Sequence, residues 1–227
     1  VSPSKLGAFE ESPLDWFIDS VSGSQSSTAM GLGTIVHWAM ETATDPDVET
    51  MWSAIESRWA ELVFESPWLA EQQRRAAGKL AAAVSEYLGD FEREKKSLVA
   101  AEDRFTLEVD RAKVSGSIDR VELSPDGGIV IVDLKTGKPE TSQAVIDEFP
   151  QLAAYQLAYA SGALDEVLKD IPDHHAGGAK LVFVREGVRG KSYREGVQAP
   201  LEPEQLEQFR ERIRQASIGM ALGIYPG

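Results

Sequence analysis

The segment Gly127 to Lys138, GGIVIVDLKTGK, constrains this chain more than any other. Four of the five residues from Ile129 to Asp133 are β-branched aliphatics, a run suited to a strand buried on both faces. Side chains alternate along a strand, so Ile129, Ile131, Asp133 and Lys135 share one face while Val130, Val132 and Leu134 share the other. A carboxylate and an ammonium therefore point the same way at the strand's end, where a sheet commonly opens towards a site.

Before that strand, the first half of the chain is helical in pattern. PSKLGAFEESPLDWFIDS reads as a short amphipathic helix interrupted near Pro13, and SGSQSST (22–28) as a polar loop. MGLGTIVHWAMETAT reads as a helix that ends before the DPD at 45–47. VETMWSAIESRWAELVF and WLAEQQRRAAGKLAAAVSEYLGDFEREKK both carry apolar residues at helical spacing. Near Leu98 the pattern changes. LVAAEDRFTLEV, AKVSGSIDRVELS and GIVIVDLK are three consecutive strands, with PDGG (125–128) as the turn between the second and third. A helix follows in EFPQLAAYQLAYASGA, then a strand in AKLVFVRE, another in KSYREGVQ, and a last helix from about Pro203. This order predicts an α/β domain with a mixed sheet, organised as one unit over 1–227: a helical extension at 1–97 and a core at 98–227.

Composition excludes several function classes. The formal net charge of -14 argues against a broad phosphate-binding surface. An enzyme acting on nucleic acid stays open, because bound divalent cations or a larger assembly can supply positive charge. With Cys 0 there is no disulfide, thiolate metal site or cysteine nucleophile, which fits a cytoplasmic location. No apolar stretch approaches the ~18 residues of a membrane span, so no membrane partner is expected. The ends, VSPSKL and GIYPG, read as the cut points of a domain excised from a longer protein.

Chemistry gathers at three strand positions. In GSIDRVEL, Asp119 shares a face with Val121 and Leu123, and the PDGG turn folds its strand against the one bearing Asp133. Two carboxylates and a lysine on neighbouring strands can bind a hard divalent cation and position a water beside it. Metal-assisted phosphodiester hydrolysis can use this combination.

GSIDR, IVDLKTGK and QLAAY, in this order, resemble the nuclease domain of RecB-type helicase-nucleases within the PD-(D/E)XK superfamily. SPSKLGAFEESPLDWF and GLGTIVHWAM resemble the same family's leading helices, and the resemblance runs from about Ser2 to Leu222. It implies a restriction-endonuclease-like α/β core, a central mixed sheet flanked by helices with an N-terminal helical extension. It also implies metal ligation by His37, Asp119, Asp133 and the backbone carbonyl of Leu134, with Lys135 as the catalytic lysine. Gln151 and Tyr155, four apart on one helix face, would position the substrate strand, and Glu102 is a weaker candidate for an accessory acid. The implied activity is a Mg²⁺- or Mn²⁺-dependent deoxyribonuclease, an exonuclease at DNA ends or single strands in recombination and repair. A superfamily-1 helicase would be its partner. The rival is a catalytically silent module that binds DNA ends or bridges helicase subunits. Many relatives hold an iron–sulfur cluster; here Ser12 stands at its first cysteine position, so no cluster is expected.

Other features take ordinary readings. Glu41, one turn after His37, suggests a helical metal pair only weakly. Successive side chains point apart, so His174 and His175 in IPDHHAGG read as a solvated loop rather than a metal site. Trp52, Trp59 and Trp68 could stack on bases, but at helical spacing they read as core. LKTGKPET fails as a phosphate-binding loop because Val132 stands where glycine is needed and Pro139 where Ser or Thr is. GLGTIV lacks the third glycine of a dinucleotide fingerprint. SQSST reads as a linker rather than a phosphate contact.

Overall fold

The computed structural model describes residues 2–16, 28–42 and 46–222. The Ile129–Lys135 run is the middle of a five-stranded mixed sheet. Its strands are β1 (Ser97–Val109), β2 (Ala112–Leu123), β3 (Gly128–Lys135), β4 (His175–Phe183) and β5 (Arg194–Gln198), in that spatial order. β1–β2, β2–β3 and β4–β5 are antiparallel, whereas β3–β4 is parallel. The PDGG turn closes as expected: Gly127 takes φ +93 and its N–H donates to the Ser124 carbonyl at 2.9 Å. A left-handed residue there suits glycine.

Both faces of β3 are covered, which is why its sequence is apolar on both. The Ile129 and Ile131 face packs under α5 (Gln143–Asp147), α6 (Pro150–Ala160) and α8 (Pro203–Leu222), together with α1 (Pro3–Glu11). The Val132 and Leu134 face packs under α2 (Thr28–Thr42), α3 (Val48–Ser57) and α4 (Pro67–Arg93). α2, α3 and α4 thus supply the second layer of the sandwich, while α1 joins the C-terminal helices on the other face. A short α7 (Asp165–Leu168) leads into β4.

Local chemistry sets the boundaries. Ser2, Asp47 and Ser66 cap α1, α3 and α4 by accepting the backbone N–H three residues on. The first helix breaks at Ser12, one residue before Pro13, because proline tolerates the first position of the next helical turn, residues 13–16. Most of the 22–28 loop lies outside the described residues, and Thr28 already begins α2. The VETMWSAIESRWAELVF helix stops at Ser57, followed by a 3-10 turn at Trp59–Glu61.

β4 starts four residues earlier than Ala179, at His175. Its glycines mask the strand in the sequence. Gly178 sits at φ +89, and a Cβ there would meet the Gln198 carbonyl oxygen at 2.5 Å, so this bulge admits glycine alone. His174 and His175 diverge: His174 Nδ1 lies 2.8 Å from the Tyr159 hydroxyl, whereas His175 opens β4 opposite Gly128. Trp52 and Trp59 pack against the α2–α4 core. Trp68 does not. It is 72% exposed on the first turn of α4, so the core reading of that residue is corrected.

Candidate active site

The sheet opens where β2 and β3 part. Their ladder ends at Arg120 and Val132. Two residues further along β3, the Leu134 N–H donates to Asp119 Oδ2 at 2.6 Å instead of to a β2 carbonyl. A side-chain carboxylate has replaced a rung of the sheet. Within a strand, the N–H and C=O of one residue lie on the same edge, so the Leu134 carbonyl also faces this gap.

Opposite Asp119 the first strand is bent. Glu102 adopts φ +49 between the paired residues Ala101 and Asp103, a conformation that is costly for a non-glycine residue and concentrates at functional sites. The bend brings Glu102 to the gap. His37 arrives from α2, its Nδ1 3.2 Å from Asp119 Oδ2. One ligand atom from each of His37, Glu102 and Asp119 lies within 4.8 Å of the others.

Asp133 lies beside this trio, buried at the end of β3. Its Oδ1 accepts from Gln151 Nε2 at 2.6 Å and from the Tyr155 hydroxyl at 2.9 Å. Its Oδ2 is 2.7 Å from the Lys135 ammonium, yet that buried oxygen has no aligned hydrogen bond among the described residues. Gln151 ties the set together. Its amide N–H groups also reach the Tyr155 hydroxyl at 2.7 Å, and its Oε1 accepts from Lys135 Nζ at 2.9 Å. The i,i+4 spacing on α6 and the shared face of Asp133 and Lys135 therefore meet in one network.

Electrostatics follow from burial and from the pair of acids. Burial raises the Asp133 carboxyl, with the Asp119 charge adding to it, against the opposing pull of the Lys135 ammonium and the Tyr155 hydrogen bond. Burial also raises Glu102, reinforced by the nearby charges of Asp119 and Glu41. For His37, burial works against the charged form, but the hydrogen bond and charge of Asp119 and the charge of Asp133 outweigh it, so its pKa is raised. A proton on His37 thus partly neutralises the acidic cluster, and His37 would have to release it to serve as a ligand.

A divalent cation fits these residues. The donors are carboxylate oxygens, which hard divalent ions favour, and one imidazole, which first-row transition ions also accept. Asp133 Oδ2, whose partner here is the Lys135 ammonium at 2.7 Å, is a buried acceptor that a metal cation could share. The geometry gives Glu102 a greater part than its sequence context suggested: it stands in the trio, while Asp133 is partly engaged by Lys135, Gln151 and Tyr155. Glu41 lies outside that trio.

Parting strands with two carboxylates and a lysine, on a mixed sheet covered by helices, define a restriction-endonuclease-like α/β domain. The family model of the PD-(D/E)XK nuclease superfamily matches residues 1–226, and the chain belongs to that superfamily. No curated protein matches it. The crystal structure of a protein from Eubacterium rectale, named "Putative exonuclease", superposes with a TM-score of 0.50 at 12% identity, covering 97% of this chain and 78% of that one. At that identity the likeness speaks for the fold alone.

Proposed function

We propose that the chain is a divalent-metal-dependent deoxyribonuclease that hydrolyses phosphodiester bonds at DNA ends or in single strands. The observation that carries this reading is the convergence of Asp119, Asp133 and Lys135 at the point where β2 and β3 part. His37, Glu102, Asp119, Asp133 and the Leu134 carbonyl are the groups that would hold Mg²⁺ or Mn²⁺. When bound, such an ion polarises a phosphoryl oxygen and lowers the pKa of water.

The chain's own residues do the rest. Lys135 keeps 32% of its side chain exposed, against 5% for Asp133, so its ammonium can donate to a phosphate oxygen or to an incoming water. Gln151 keeps that ammonium beside Asp133, and Tyr155 fixes the carboxylate from below. Asp119 holds the gap open by taking the Leu134 N–H.

Resemblance to helicase-associated nucleases supports exonucleolytic trimming of DNA in recombination and repair, in the cytoplasm, as a single domain of helical residues 1–97 and core residues 98–227. A superfamily-1 helicase as partner agrees with the absence of an ATPase motif from this sequence and with its net charge of -14, which makes unaided duplex capture weak. No described helix is long and apolar enough to cross a membrane. With no cysteine in the chain, an iron–sulfur cluster has no thiolate ligands here.

End-labelled single-stranded DNA incubated with the protein in Mg²⁺, in Mn²⁺ and in chelator tests the reading, alongside Lys135→Ala. Cleavage that needs the metal and falls at least 100-fold in the variant, of the order expected for removing a transition-state donor, is the expected result. No cleavage together with no divalent binding by calorimetry would refute it.

A further inference from the structure

Next to the carboxylates, and distinct from them, runs a groove of about 640 Å³. One wall is a face of α4. Trp68, Gln72, Arg75 and Lys79 line it, spaced so that they form a single stripe about 16 Å long at the rise of a helix. The other wall combines Gly33 of α2, Thr136 directly after β3, and Arg185 after β4.

The groove leads to the site. Thr136 follows Lys135 in the chain, and Gly33 lies one helical turn before His37. A Cβ at Gly33 would stand 3.0 Å from Thr136 Oγ1, so glycine lets α2 approach the end of β3 and brings both walls together there. A ligand lying in the groove therefore emerges at the Lys135 edge.

Its chemistry differs from that of the surrounding surface. On a chain with net charge -14, Arg75, Lys79 and Arg185 gather here against two carboxylates, Glu71 and Glu186. Glu71 is taken up by Arg75, at 3.1 Å. Lys79 and Arg185 are exposed and form no ion pair among the described residues. Trp68 leaves 72% of its surface in water, presented by a first turn that Pro67 and the Ser66 cap hold in shape. Cations flanking an exposed aromatic ring suit an unpaired strand: the ring stacks on a base face and the cations take phosphates. A duplex offers no free base face, because its bases already stack on one another.

We infer that this groove holds the unpaired nucleic-acid strand next to the scissile bond, with Trp68 stacking on a base and Lys79 and Arg185 holding phosphates. The inference rests on the nuclease reading and assigns it a substrate form.

Two measurements keep the two ideas separable. Hydrolysis of bis-p-nitrophenyl phosphate by the wild-type protein in Mn²⁺ reports on the metal site without any need for a groove. Fluorescence anisotropy of a labelled oligothymidylate in chelator reports on the groove without chemistry. Trp68→Ala should weaken oligonucleotide binding about 5- to 150-fold, the range of base–aromatic stacking, and Trp68→Phe should restore most of it. Lys79→Ala combined with Arg185→Ala should lower the slope of log affinity against log salt by about 1.4, as two lost phosphate contacts on a single strand require. Unchanged binding in Trp68→Ala, or duplex bound as tightly as single strand, overturns the groove whatever bis-p-nitrophenyl phosphate shows. Absence of that hydrolysis counts against the nuclease reading instead.

Discussion

Replacing Tyr155 with phenylalanine removes one oxygen from a buried position and tests how Asp133 is held. The Tyr155 side chain is 1% exposed, so phenylalanine fills the same space without opening a cavity. What is lost is electrostatic. The hydroxyl donates to Asp133 Oδ1 at 2.9 Å, lies 3.2 Å from the Ser117 carbonyl, and accepts from Gln151 at 2.7 Å. A hydrogen bond to a charged group contributes about 1.5–3 kcal/mol, which corresponds to roughly 10- to 150-fold in any equilibrium that needs the Asp133 carboxylate ionised and aligned. Loss of a group that orients a metal ligand typically costs about 10- to 100-fold in metal affinity or activity, and the two figures agree. The same change removes one of the hydrogen bonds that favour the ionised form of this already raised carboxyl. Tyr155→Phe should therefore bind Mn²⁺ at least 10-fold more weakly by calorimetry and cleave oligonucleotides correspondingly more slowly at limiting metal. Saturating metal should recover part of the rate. Thermal unfolding followed by circular dichroism should show a folded protein destabilised by about 1–2 kcal/mol, from the partners left short of a hydrogen bond. Wild-type metal affinity and rate in a folded variant would refute the argument that Tyr155 fixes Asp133.

Asp119→Asn keeps an oxygen that can accept the Leu134 N–H, so the melting temperature should stay close to wild type while Mn²⁺ affinity falls at least 10-fold by calorimetry; unchanged affinity would remove Asp119 from the ligand set. At Asp90, burial raises the carboxyl but hydrogen bonds from Lys191 and Tyr193 outweigh it, leaving its pKa below the usual value. Its contribution to stability is therefore present above the unfolded value of about 3.9 and is lost as pH falls through the lower folded value. Asp90→Asn should cost about 1–2 kcal/mol at pH 7, with the gap to wild type closing below about pH 4 in urea titrations. Two glycine-to-alanine changes should move stability in opposite directions. Gly178→Ala meets a backbone oxygen at 2.5 Å with φ +89 and should lose about 1–3 kcal/mol. Gly78→Ala, inside α4 with nothing within 4 Å, should gain about 0.5–1 kcal/mol, both read from thermal melts.

The sheet and the convergence of side chains at its open edge are legible in the sequence because they depend on short-range pattern. The β-branched run from Ile129 announces a strand covered on both sides, and alternation alone sets Asp133 and Lys135 together. The i,i+4 spacing of Gln151 and Tyr155 does the same on α6. Glycine hid the start of β4, since a bulge that needs Gly177 and Gly178 looks like a loop in sequence. Helical spacing places Trp68 in line with apolar neighbours, and only the packing of α4 shows that its own turn extends past the core.

Glu102 shows where pattern reading reaches its limit. Alternation along β1 gives it no special direction, and no glycine or proline marks the kink at φ +49 that carries it to Asp119 and His37. The neighbouring strands offer a cause. Once the Asp119 side chain takes the Leu134 N–H, β2 and β3 part, and residue 102 is left opposite a position where regular pairing is interrupted. The strain in β1 and the gap between β2 and β3 are thus two sides of one arrangement around Asp119. If so, removing the Asp119 carboxylate by substitution with alanine should relax β1 as well as weaken metal binding. Faster amide hydrogen exchange at Glu102 and Leu134, with the far ends of the same strands unaffected, is the expected signature; exchange unchanged at Glu102 would separate the two features.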